Sequence, residues 1–380
     1  MTQHCEAAPD LRALILAEFR ADGPITFDRY MDLFLYHPQL GYYSRQQPHI
    51  GPDGDYYTST DVSPLFGATI GRQLREMWEV LERPRPFAIL EYGAGKGLLA
   101  ADVLGWAGAA HPDFYAAIEY HIVELSPSLR RYQQERLGAL PIRWAESGAP
   151  PDGVIGCALS NEVADALPFH RVRQVDGALW ELWVVESDGT LREEPGAPST
   201  PALASYLHDA GVDLREGHTA EINLRAAAWM RAQLATLRAG FALTIDYGAT
   251  ADRLYGDQYP EGTLACYHRH TRNTEPFERV GEQDITAHVD FSALARAVRG
   301  AGAEVTGYTT QGYFLASLGL GDALAGDEQR HGSAREFERE RAAIEQLIRP
   351  DGLGGFRVLI AHRGIERPSL RGLAFGAEPL

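Results

Sequence analysis

The stretch Phe87-Ala88-Ile89-Leu90-Glu91-Tyr92-Gly93-Ala94-Gly95-Lys96-Gly97-Leu98 decides the fold. Phe87 to Tyr92 is a short apolar run of strand length. Gly93 to Gly97 makes a turn, because glycine tolerates tight backbone geometry and lets a ligand come close. Leu98 to Trp106 reads as the helix that follows. Strand, glycine turn and helix in this order put a ligand loop at the carboxyl end of a strand.

The same alternation continues on either side. His121 to Glu124 is a second strand, and Ser126-Pro127 starts a helix over Leu129 to Leu137. Val154 to Ser160 is a third strand. A helix containing Trp229, Leu234 and Leu237 precedes a fourth, Phe241 to Asp246. Phe291 to Gly302 is helical, and Glu304 to Tyr308 and Phe356 to Ala361 are strands. Upstream, Asp10 caps a helix bearing Leu11, Leu14, Ile15 and Phe19. Ile25 to Tyr43 is aromatic-rich, Ile50 to Ser63 is a loop, and Ser63-Pro64 opens another helix. The pattern predicts an α/β chain, a parallel sheet wound by helices on both faces. Residues 1–84 form an N-terminal helical extension with a covering loop, 85–365 the core, and 366–380 a tail. Two stretches interrupt the core. Residues 168–221 hold a hairpin over Arg171 to Glu186, and 249–290 are irregular and long enough for a lid or binding loop.

Composition narrows the function. The chain has 380 residues, 45% of them hydrophobic, and a net charge of -17. That charge opposes phosphate backbones and argues against nucleic-acid binding. No apolar run approaches a membrane span. Met1 to Pro9 shows neither a signal peptide nor an arginine-rich transit peptide, so a cytoplasmic location is expected. Cys5, Cys157 and Cys266 are few and scattered, which argues against a disulfide framework. Lys96 is the single lysine. Cys266-Tyr267-His268-Arg269-His270 has poor spacing for a tetrahedral metal site, and no metal is expected. There is no Gly-x-Ser-x-Gly elbow, which argues against an ordinary α/β hydrolase.

Three ligands compete for the glycine loop. A P-loop needs a glycine where Leu90 stands and a hydroxyl residue where Gly97 stands. A dinucleotide loop counted from Gly93 needs its last glycine at Leu98. Glu-x-Gly-x-Gly-x-Gly, with Glu91, Gly93, Gly95 and Gly97, is the form typical of class I methyltransferases, which use a Rossmann-like sheet. Glu91 would then face the ammonium of S-adenosyl-L-methionine. Glu124, ending the next strand, can accept from ribose hydroxyls.

Eight segments together resemble the MidA-like family, once called domain of unknown function 185. They are ITFDRYMDLFLYHPQLGYYS (25–44), GPDGDYYTSTDVSPLFG (51–67), LEYGAGKGLLAADVL (90–104), HIVELSPSLRRYQ (121–133), SNEVADALPFHR (160–171), LTIDYG (243–248), DITAHVDFSAL (284–294) and TTQGYFLASLGL (309–320). Tyr92 and Ala94 stand where members often have Leu and Gly or Pro. The family includes a mitochondrial complex I assembly factor that methylates protein arginine. The resemblance implies an S-adenosyl-L-methionine-dependent methyltransferase acting on a protein arginine. It implies that 54–59, with Gly54, Thr58 and Ser59, folds over the cofactor, and that Glu124 binds the ribose. Without a long targeting extension, the chain looks like a bacterial relative.

For the acceptor, Ser160-Asn161-Glu162-Val163-Ala164-Asp165 follows the third strand at the sheet's carboxyl edge. Glu162 and Asp165, three apart, would share a face over one helical turn. Together they could fork a guanidinium, and Asn161 could line the transfer site. From spacing alone, capping by Asn161 and a solvated Glu162 is the plainer reading; the resemblance turns both toward catalysis. Asp165 could instead pair with Arg171. His288 could orient a substrate or act as a base, or simply pack a loop, and Asp290 reads as a helix cap. Thr309 to Phe314 could floor the pocket or fill the core. Two rival functions remain: transfer to a small-molecule oxygen or nitrogen, and an assembly factor for which catalysis is inessential.

Overall fold

A computed structural model describes residues 10–44, 51, 54–145, 148–323 and 334–380. Cys5, Ile50 and the Pro52-Asp53 part of the covering loop lie outside the described residues. The core strands are β1 (Phe87–Tyr92), β2 (Ile118–Val123), β3 (Ile142–Trp144), β4 (Val154–Asn161), β5 (Leu237–Asp246), β6 (Glu304–Thr310) and β7 (Arg357–Arg363). They lie in the order β3-β2-β1-β4-β5-β7-β6. Strands β1 to β5 run parallel. β7 runs antiparallel between β5 and β6, which corrects the expectation of an all-parallel sheet. An apolar strand sequence carries no direction; the return path of the chain decides it. Leu237 also departs from expectation, because it starts β5 rather than ending a helix.

The main helices are α1 (Leu11–Asp22), α2 (Phe27–Tyr36), α3 (Pro64–Val80), α4 (Leu98–Ala110), α5 (Pro127–Leu137), α6 (Leu224–Thr236) and α7 (Phe291–Gly300). The expected caps form. Asp10 Oδ1 accepts from the Ala13 N–H at 2.6 Å, Ser126 Oγ from Leu129 at 3.3 Å and Asp290 Oδ1 from Ala293 at 2.9 Å. On one sheet face, Phe66, Ile70, Leu74 and Trp78 of α3 pack with Leu99 and Val103 of α4. On the other, Met230 and Leu234 of α6 pack with Phe291, Leu294 and Val298 of α7. Helices on both faces bury the central strands twice, which is why β1, β4 and β5 read as largely apolar runs.

The sheet order reverses between β1 and β4, and ligands of such sheets bind beyond the carboxyl ends at this point. Three stretches far apart in sequence assemble there. The expected hairpin forms, with Val172 opposite Glu181. Strands at Thr190–Gly196 and Thr219–Ile222 extend it. The N-terminal segment joins the same sheet, with Ile25 opposite Val184. Phe27, Tyr30, Met31 and Phe34 of α2 are buried against Phe169, Val184, Leu264, Cys266 and Ile285. The 249–290 stretch carries a small sheet of Ala265–His268, Thr271–Asn273 and Asp284–Thr286. Among the described residues no helix is long and apolar enough to cross a membrane.

Candidate active site

The glycine loop leaves β1 through left-handed backbone at Gly93 (φ 62°), Gly95 (φ 54°) and Gly97 (φ 74°), where side chains are strained. A Cβ on Gly93 would also stand 2.9 Å from Val163 Cγ2. The buried Gln133 amide of α5 donates to the Gly95 carbonyl at 2.9 Å and to Glu124 Oε2 at 3.1 Å. Trp144 Nε1 holds its oxygen at 3.0 Å. One side chain thus fixes the loop against the acid that follows β2. Glu124 Oε1 accepts from the Ser126 N–H at 2.9 Å. Glu91 is buried on β1 and accepts from the Tyr120 hydroxyl at 2.8 Å. Burial pushes its carboxyl up to about 7, the Tyr120 bond opposes this, and the Glu124 charge adds to it. Among the described residues no cation pairs with Glu91.

Leu125, beside Glu124, is 72% exposed. The sequence reading passed over it; its signal is an apolar residue wedged between a strand-end acid and a Ser-Pro cap. A buried carboxylate without a cation, a strand-end acid, an exposed apolar face and a cradle that excludes a Cβ suit an ammonium, a ribose, an adenine and a close backbone approach.

The segment that the resemblance sets over the cofactor does lie beside the glycine loop. The Gly54 N–H donates to the Gly51 carbonyl at 2.8 Å. Thr58 and Asp61 form a reciprocal cap on the short helix Ser59–Val62. Asp61 Oδ1 takes the ammonium of Lys96, so the single lysine binds this segment to the loop. The Ser59 N–H donates to Glu162 Oε1 at 2.9 Å, and its hydroxyl to Gln311 Oε1 at 3.2 Å. Thr309 to Phe314 therefore divides: Gln311 reaches this segment, and Phe314 is core.

Glu162 and Asp165 do not share a helical face as the spacing suggested. β4 ends at Asn161, Glu162 turns left-handed (φ 55°), and Ala164–Ala166 is a single 3-10 turn. The cause is Asp246 at the end of β5. Its Oδ2 accepts the N–H groups of Val163 (3.1 Å), Ala164 (2.8 Å) and Asp165 (3.3 Å), which pins the turn. A left-handed non-glycine residue costs on the order of 1 kcal/mol and marks functional sites more often than chance. Asn161 Nδ2 donates to Glu162 Oε1 at 3.0 Å, while Asn161 Oδ1 is buried without a partner.

Asp165 Oδ2 accepts from the Tyr247 hydroxyl (2.5 Å) and from Thr286 Oγ1 (2.8 Å); its Oδ1 is buried and unpartnered. Asp284 Oδ1 accepts from Tyr43 at 2.8 Å. Arg171 is not the partner of Asp165; it pairs with Glu193 at 2.5 Å and Glu221 at 3.2 Å. Burial pushes the Glu162 carboxyl up to about 8, the Ser59 N–H opposes, and the Asp165 charge adds. Asp284 is pushed up to about 8 by burial and then by Asp165. Asp165 and Asp246 are raised, chiefly by burial. Among the described residues none of these four carboxylates has a Lys, Arg or His within ion-pair distance.

His288 lies next to this cluster. Its N–H donates to Thr263 Oγ1 at 3.0 Å, and its ring meets Tyr247 and Tyr259 edge-on. Asp290 caps α7. Cys157 and Cys266 are buried thiols. His268 Nδ1 meets the Glu282 carbonyl at 2.8 Å and Asp55 at 3.4 Å.

With this geometry in place, comparison with known proteins is direct. Residues 69–309 match the model of a family described as "Putative S-adenosyl-L-methionine-dependent methyltransferase". The chain is 28% identical to the Drosophila melanogaster mitochondrial protein arginine methyltransferase NDUFAF7 homolog, over 95% of this chain and 86% of that one. It is 28% identical to human mitochondrial NDUFAF7, a protein arginine methyltransferase, over 94% and 85%. A COG1565 superfamily member from Burkholderia thailandensis, crystallised bound to S-adenosyl-homocysteine, superposes with a TM-score of 0.88. It is 35% identical and covers 97% of this chain and 95% of its own.

Proposed function

The chain belongs to this family of S-adenosyl-L-methionine-dependent methyltransferases, and from that premise we propose that it methylates an arginine side chain of a protein. The observation that carries the proposal is a group of four carboxylates, Asp165, Asp246 and Asp284 buried and Glu162 half-buried, with no cation among the described residues. Buried charges are stable when paired and hydrogen-bonded. A guanidinium supplies both, and its fork matches carboxylate geometry. Curated relatives named protein arginine methyltransferases support the same reading.

S-adenosyl-L-methionine supplies an electrophilic methyl on a sulfonium. In this proposal Glu91 takes its ammonium, Glu124 its ribose hydroxyls, Leu125 one face of its adenine, and Gly93, Gly95 and Gly97 give close backbone approach. Gly54, Thr58 and Ser59 cover it. Glu162 and Asp165 hold the guanidinium, Asn161 directs its unpartnered Oδ1 at the donor nitrogen, and His288 stands behind. Ser59 ties the two halves, because its N–H already holds Glu162. Positioning of this kind is the main work of methyl transfer.

The test is transfer of labelled methyl to arginine-containing peptides, with lysine counterparts as controls. Glu162→Gln is expected to lower kcat/KM about 100-fold, the ~3 kcal/mol of one buried charge pair, while S-adenosyl-homocysteine affinity holds. Equal transfer to lysine peptides would sink the arginine assignment. One observation favours a second reading. Tyr43 and Tyr56 stand half-buried among the carboxylates, a partial enclosure that suits a small guanidino or amine compound. Label found in small cations and never in peptide would favour it. A cytoplasmic location in a bacterial cell belongs to the same proposal, and cell fractionation checks it.

A further inference from the structure

We propose that a buried water links Asp165 Oδ1 to His288 Nδ1, so that the proton released by methyl transfer leaves the site through His288. This rests on the reading of Asp165 as an acceptor-site residue. Four observations carry it. Asp165 and His288 line one small cavity. Asp165 Oδ1 and His288 Nδ1 are both buried there without a partner, and buried polar atoms are nearly always satisfied, by water where protein does not reach. The other oxygen of Asp165 is fixed by Tyr247 and Thr286, which leaves Oδ1 as the free acceptor. The segment carrying His288 is bound to the Asp165 turn, by Thr286 Oγ1 and by the Ala287 N–H to the Asp165 carbonyl at 3.4 Å. Asp165 is buried, whereas His288 is partly exposed.

The proton balance closes on these groups. A guanidinium nitrogen forms the new N–C bond, and the methyl–sulfur bond breaks with its electron pair going to sulfur. The nitrogen's proton passes to Asp165, through the water to His288 Nδ1, and from the other ring nitrogen to solvent. Burial lowers the imidazole pKa, Glu221 raises it and Arg272 lowers it further, which favours the neutral ring, the form that accepts a proton. Asp165, Asp290, Tyr206 and Tyr255 face it across the cavity, and Tyr247 and Tyr259 touch its edges.

Two acceptor-independent readouts test the link on the full chain. A crystal structure at high resolution is expected to show one water bonded to both atoms. The His288 imidazole, followed by NMR titration, is expected to fall by half a unit or more on Asp165→Asn, whose amide keeps the Tyr247 and Thr286 contacts. A dry cavity, or an imidazole pKa unmoved by Asp165→Asn, overturns the proposal. On a peptide that the wild type methylates, His288→Gln is expected to cut kcat about 100-fold and flatten its pH profile while KM holds. An unchanged kcat and profile overturn the proton route even if arginine is the acceptor. Failure of the wild type to label any arginine would instead strike the acceptor assignment.

Discussion

Glu162 is the residue under most constraint: left-handed, half-buried and close to Asp165. Its folded carboxyl sits near 8 against 4.5 for the free group. The native state therefore binds this proton more tightly than the unfolded chain. Its stabilisation is full below about 4.5 and is lost as pH rises through about 8. The ligand-free chain is expected to lose thermal stability steadily from pH 5 to 8.5. Glu162→Gln should make that decline shallower, with the remainder due to the other raised carboxyls, Glu91, Asp102, Asp165, Asp246 and Asp284 among them. An identical slope in calorimetry of the two proteins would show that burial at 162 is not the cause. Gly93 is the second test at this scale. Gly93→Val combines a positive φ with a crowded Val163, so S-adenosyl-homocysteine affinity should fall at least ~100-fold, about 3 kcal/mol of strain and lost approach. Titration calorimetry on the folded variant measures it. Glu91 and Glu124 stand out in the sequence as candidates because each sits at a strand end beside a loop. Asp246, Tyr247 and Thr286 could not be assigned roles, because they reach the site through bonds joining residues some 80 to 120 apart.

Among elements, the most informative is the cap segment Ser59–Val62 with the loop before it. It touches the glycine loop through Asp61 and Lys96, and the acid cluster through Ser59. Lys96→Met is expected to raise amide exchange over 54–62 and weaken cofactor binding several-fold, with global stability nearly unchanged. Unaltered exchange in this segment would mean that the ion pair holds nothing in place. Strands β1, β4 and β5 were legible because buried parallel strands are largely apolar, whereas β2 was read only from His121 onward, since Glu119 and His121 interrupt its apolar run. Ser63-Pro64 and Ser126-Pro127 gave helix starts because the cap and the fixed proline φ act locally. β3 went unseen: it has three residues, of which one is fully buried. The turn after β4 was misread as helical because Asp246, from another strand, dictates it. Removing that support with Asp246→Ala should cost about 2–4 kcal/mol, since three turn N–H groups lose their acceptor. Chemical denaturation measures this, and a loss under 1 kcal/mol would show the turn to be self-supporting.

At the scale of the molecule, the sequence foretold a sheet with two interrupting stretches. It did not foretell that both stretches and the N-terminal helices would share one core, nor that Ile25 and Thr26 would join the sheet of the first stretch. Such contacts join residues more than a hundred apart, and no local pattern encodes them. Their effect is to bring Tyr43, Tyr247, Asp165 and Asp284 together beside the turn after β4, where the proposed guanidinium would sit. The measurement that bears most directly on this is amino-acid analysis of proteins labelled by the purified chain with radioactive S-adenosyl-L-methionine. Radioactivity in methylarginine, abolished by Glu162→Gln, is the expected result; radioactivity in methyllysine or methylhistidine, or only in small molecules, would contradict it.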